Sequence, residues 1–148
     1  MLIVWLSRIL LLVSVLLAVR KGDEPERLVA GILFATFALD AGNHAAFGNV
    51  EWFSVNPGHA VIDIWAFVTL LWVALRANRG WPLLACAAQG VVLTGHLAKF
   101  IDGQMVRKAY WTITQLPFLL QVLALALGTV AHIQRRQRAG RYHAWRLD

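Results

Sequence analysis

Hydrophobic residues along this chain gather in five long blocks, 2–19, 28–47, 58–75, 82–101 and 109–132, separated by short polar connections. At about 1.5 Å of rise per residue, each block as a helix reaches across most or all of a hydrocarbon layer roughly 30 Å thick. The pattern predicts an all-α integral membrane protein, a bundle of five transmembrane helices. Helices are required because lipid offers no partner to an unpaired backbone N–H or C=O, and nothing in the pattern suggests a closed barrel. Pro82 suits the first turn of its helix, where the missing N–H costs nothing, whereas Pro117 is expected to kink the fifth. The run from Leu2 to Val19 has no basic residue before it and no A-x-A site after it. Arg20 and Lys21 follow instead, as they follow a retained helix rather than a secretory signal.

Charge orients the bundle. The first connection carries Arg20, Lys21 and Arg27, the second has no Lys or Arg, and the third has Arg76 and Arg79. The end of the chain adds Arg135, Arg136, Arg138, Arg141 and Arg146. Positive residues accumulate on the cytoplasmic side, which places the N-terminus outside and the C-terminus in the cytoplasm. Lys99, Arg107 and Lys108 run against that trend. Trp5, Trp52, Tyr110 and Trp111 are expected at the outer interface, and Trp72 and Trp81 at the inner one. Residues 1–133 thus form a single transmembrane helical domain and 134–148 a basic cytoplasmic tail. With Tyr142 and Trp145 interleaved, that tail suits anionic lipid or a docking partner, while the plainer expectation is a topology-setting tail with little structure.

Composition agrees. Of 148 residues, 59% are hydrophobic and 15% charged, which is too apolar for an ordinary soluble domain. The net charge of +6 does not point to nucleic acid, because the basic residues lie in loops and the tail rather than on one face. The lipid bilayer is the expected partner, with a second membrane protein or another copy of the chain as further candidates. Cys86 is the only cysteine, so no internal disulfide can form.

The candidate chemistry lies in ionisable residues inside the apolar blocks, which are costly in lipid and mark functional sites. Arg8, Asp40, His44, His59, Asp63, His96 and Lys99 all fall in the outer half of their spans, joined by Tyr110 and Gln115, with Gln89 near mid-depth. Asp40 and His44 are four residues apart, as are His59 and Asp63, so each pair shares a helix face. Three readings follow. The first is a polar network of Arg8, Asp40, His44, Asp63, Gln89, His96, Lys99, Tyr110 and Gln115, with Arg8 paired to Asp40 or Asp63 and Lys99 to Asp102. The second is a transition-metal site drawn from Asp40, His44, His59, Asp63 and His96, whose imidazoles and carboxylates suit Zn, Fe, Cu or Mn. The third is a haem held between His44 and His96. No nucleophile motif and no HExxH occurs, which favours a non-enzymatic protein. Proton-coupled transport ranks below these, because its groups normally sit near the midplane and the chain has no internal repeat. The slim run Ala85, Cys86, Ala87, Ala88 and Gly90 lets another helix approach closely, most simply one of this chain.

The stretch from Asp63 to Thr129 resembles a family of small, uncharacterised multi-helix membrane proteins of alphaproteobacterial type. The resemblance is carried by Asp63, the turn Arg79-Gly80-Trp81-Pro82, Gln89, His96-Leu97-Ala98-Lys99, Ala109-Tyr110 and Gly128-Thr129, with Pro25-Glu26-Arg27 adding to it. Asp40 and His44 are not part of that pattern. The family has no assigned activity, so the likeness implies the architecture and a bacterial inner membrane but no mechanism. The expected role is an accessory or scaffold subunit of a membrane complex. A metal- or haem-dependent binding protein is the alternative, and a proton-coupled transporter the second.

Overall fold

The computed structural model describes residues 2–48, 56–102, 104 and 106–146. Trp52 lies outside these residues, so its place at the interface is not described. Five helices follow in order: α1 (Leu2–Lys21), α2 (Glu24–Phe47), α3 (Pro57–Arg76), α4 (Trp81–Ile101) and α5 (Arg107–Ala139). Each predicted block corresponds to one of them. α2 begins at Glu24, ahead of the apolar block, because Asp23 caps it: the Asp23 carboxylate accepts from the start of the helix while Glu26 accepts from the Asp23 N–H at 3.1 Å. Asn56 caps α3 through its side-chain oxygen. α5 runs unbroken through Pro117 and continues past the apolar block to Ala139.

Consecutive helices pack against one another, and contact between α1 and α5 closes the ring, with α2 also touching α5. The slim face of α4 is used inside the chain. Ala85, Cys86 and Ala88 are buried, and Gly90 lies against Phe67 of α3. Ala87 is exposed.

The distribution of polarity is inverted relative to a water-soluble bundle. Leu12, Val13, Leu16, Val68, Leu84, Leu97 and Leu127 are exposed, while Glu26, Gln89, His96, Gln121, Thr129 and His132 are buried. An apolar exterior on this scale finds its solvent in hydrocarbon. α2, α3, α4 and the Lys108–Ala139 part of α5 are each long and apolar enough to cross a membrane. The architecture is that of a multi-pass helical membrane protein.

One end of the bundle is sealed by charge. Arg79, in the turn between α3 and α4, places Nε 2.9 Å from Glu26 Oε1 and Nη2 3.4 Å from Asp23 Oδ2. Its side chain is 5% exposed and that of Glu26 0%, so an isolated charge on either would be costly. The same guanidinium lies 3.0 Å from His132 Nδ1 of α5 and donates from Nη1 to the Ala144 carbonyl at 3.0 Å. Tyr142 closes the group, its hydroxyl 2.6 Å from His132 Nδ1. Residues 140–146 therefore fold back across this end rather than trailing away. Asn78 N–H donates to the Ala144 carbonyl, Arg146 N–H to the Arg76 carbonyl, and the Trp145 indole to Glu24. Trp145 packs edge-on against Trp72. Trp81, at the first position of α4, packs against Gly128 of α5.

Candidate functional site

The opposite end is hollow. The start of α1, the end of α2, the start of α3, the end of α4 and the start of α5 surround a cavity of about 960 Å³. Every residue of the expected network lines it: Arg8, Asp40, His44, Asp63, Gln89, His96, Lys99, Tyr110 and Gln115, with His59 beside them. Phe37, Ile62, Val92 and Phe118 supply apolar wall between the polar groups. Tyr110, expected at the outer interface, turns into this cavity.

These residues fall into two sets. The first is a continuous hydrogen-bonded chain along one wall. Gln121 Nε2 donates to Gln89 Oε1 at 2.7 Å, and Gln89 Nε2 donates to Asp63 Oδ1 at 2.8 Å. The other carboxylate oxygen, Oδ2, is 2.7 Å from His96 Nε2, and His96 Nδ1 is 2.8 Å from the Tyr110 hydroxyl. Asp63 is the acceptor, so the ring donates from Nε2 and Nδ1 accepts from tyrosine. All the donors then point toward Asp63. Such a chain places a carboxylate inside a helical bundle at reduced cost because both of its oxygens accept a hydrogen bond. Gly95, one residue before His96, sits against Ile113 so closely that a Cβ would collide with it, which brings α4 near enough to α5 for the tyrosine contact.

The second set stands across α2 and α3. His59 Nε2 is 3.0 Å from Asp40 Oδ1 and 3.1 Å from His44 Nε2. The ligating atoms of the three residues lie within 4.8 Å of one another. The five-residue metal set therefore divides, because Asp63 and His96 are engaged with each other. Both ring nitrogens of His96 are held by protein groups, which leaves none for the axial role expected of it with His44.

Arg8 is placed differently from expectation. Among the described residues Asp40 and Asp63 pair with His59 and His96, and not with Arg8. The Arg8 guanidinium lies over the rings of Trp5 and Phe37, 5.5 and 5.6 Å from their centroids. Lys99 Nζ lies 4.4 Å from the Tyr110 ring centroid. Thr36 hydrogen-bonds to the Ile32 carbonyl of its own helix, so its hydroxyl proton is used internally.

Two features were not anticipated. Gln121 anchors the wall from α5, although a reading centred on ionisable residues passes over it. The sealed group of Glu26, Arg79, His132 and Tyr142 was not expected as a group: Glu26 and Arg79 entered only through the resemblance, and Arg79 otherwise reads as an ordinary loop charge. Compared with known proteins, the chain stands apart: no family model, no curated protein and no solved structure matches it.

Proposed function

We propose that this chain is a five-span protein of a bacterial inner membrane that binds a small amphipathic molecule in its polar cavity, as the non-enzymatic accessory subunit of a membrane complex. The observation that carries the reading is the cavity itself, which is drug-sized, is lined from all five helices, and sets a few convergent polar groups among apolar ones. Arg8, Asp63, Tyr110 and Gln115 would meet the ligand's hydrogen-bonding head, with Gln89 and His96 holding Asp63 in place, and Phe37, Ile62, Val92 and Phe118 would meet its apolar body. α1 acts as the fifth span, exposing Leu6, Ile9, Leu12, Val13 and Leu16 to lipid. The concentration of arginine at the sealed end supports a cytoplasmic position for it, so the cavity faces outward. The bacterial inner membrane follows from the resemblance carried by the 63–129 stretch.

Purification at native abundance in mild detergent, followed by native mass spectrometry, tests both halves of the proposal. The expected result is a stoichiometric partner and a retained small molecule that Asp63→Asn releases. A protein that runs alone with an empty cavity overturns it.

A further inference from the structure

The geometry points to a divalent transition-metal site at the rim of the cavity, formed by Asp40 and His44 of α2 and His59 of α3. This goes beyond small-molecule binding, because it rests on three side chains that take no part in the Asp63 chain.

Two of the three donor separations are those of a coordination shell. Ligand bonds of about 2.0–2.2 Å separate neighbouring donor atoms by about 3 Å in an octahedron and about 3.4 Å in a tetrahedron. His59 Nε2 lies 3.1 Å from one prospective donor and 3.0 Å from the other. The third separation is within 4.8 Å and closes by movement of Asp40 or His44. His44 is exposed and the Asp40 side chain is 47% exposed, so neither is locked by packing.

Proton bookkeeping favours a cation in the same place. Two imidazole Nε2 atoms face each other, so one must carry hydrogen and the other a lone pair. His59 Nε2 also faces the Asp40 carboxylate, and a single N–H cannot serve both neighbours with good geometry. A divalent ion satisfies all three lone pairs together. The scaffold is braced for it: Asn43 Nδ2 donates to Asn56 Oδ1 at 3.2 Å, and the same oxygen caps α3 at the Gly58 N–H, one residue before His59. Gly58 itself meets the Asn43 side chain where a Cβ would collide, so α2 and α3 are held at the spacing the site needs. Two imidazoles and one carboxylate suit Zn²⁺, Fe²⁺ or Co²⁺, and three protein ligands leave positions open to whatever enters the cavity.

The test uses the full chain carried on a cleaved tag without histidine, stripped with chelator in detergent and titrated with Co²⁺. Absorption in the visible region reads the site, and elemental analysis counts the metal. One Co²⁺ per chain is expected, displaced by Zn²⁺. His44→Gln and His59→Gln should each weaken binding by at least about tenfold, the lower bound for losing even an outer support of a ligand. His96→Gln should leave it unchanged. Should His59→Gln fail to elute as a single species, His44→Gln at the exposed end of α2 gives the reading. Absence of Co²⁺ binding, binding that survives the double His44→Gln, His59→Gln substitution, or binding that depends on His96 overturns the site. None of these results bears on whether an organic molecule co-purifies, so the two proposals fail separately.

Discussion

The two ends of this bundle bury similar chemistry and use it in opposite ways. At the sealed end Glu26, Asp23, Arg79, His132 and Tyr142 fit together, and the returning chain covers them. At the hollow end Asp40, Asp63, three histidines, Tyr110 and two cations surround an open volume. Charges that face one another across protein hold helices together. Charges that line a shared cavity are, in the function proposed above, available to a bound molecule. The difference separates a closed polar cluster from one that lines a cavity more sharply than residue types do, since both ends use carboxylate, imidazole, tyrosine and guanidinium.

If that distinction holds, substitutions at the two ends should differ in kind. The largest expected loss of stability is from Arg79→Ala, which leaves Glu26 buried without its partner. About 3–5 kcal/mol is expected, read as a lowered thermal or denaturant midpoint in detergent. Replacing the pair together, Arg79→Met with Glu26→Leu, should recover most of that loss. Removing residues 140–148 should cost less, about 2–3 kcal/mol, since the Arg79 guanidinium loses the Ala144 carbonyl and His132 loses the Tyr142 hydroxyl. At the hollow end Tyr110→Phe should cost about 1 kcal/mol in the same assay, one hydrogen bond, while reducing ligand retention by an order of magnitude. Arg8→Leu should be smallest in stability, about 0.5–1 kcal/mol for its stacking on Trp5 and Phe37. The comparison breaks if Tyr110→Phe destabilises the fold as much as Arg79→Ala does, for the cavity wall would then be structural too.

Much of the hollow end was legible beforehand. Depth in a membrane helix is nearly a linear function of residue number, so the gathering of Asp40, His44, His59, Asp63, His96 and Tyr110 at one level follows from rise per residue and alternating direction. The i,i+4 spacing correctly put Asp40 and His44 on one face. It also put His59 and Asp63 together, yet these two serve different sets, because one helix face is wide enough to meet two neighbours. The partners of Arg8 were misjudged for a related reason: charge count favoured a carboxylate, but the guanidinium lies over Trp5 and Phe37. The sealed end was less legible. Arg79 and Glu26 lie far apart in sequence, in positions that ordinary loops and caps explain, and the tail has no periodicity that would announce its return.

Sequence alone determined that five helices form, that their exteriors are apolar, and that Arg8, Asp40, His44, His59, Asp63, His96 and Lys99 share one end. Those properties depend on hydrophobic block length and on position along each helix axis. Tertiary structure decided which faces meet: Asp63 with His96 and Gln89, His59 with Asp40 and His44, and Glu26 with Arg79. Rotation of a helix about its axis is set by contacts with residues distant in the chain, such as Gly95 against Ile113 and Gly58 against Asn43. No single segment carries that information, and it is this rotation that turns one level of polar residues into a hydrogen-bonded wall and a separate three-residue rim.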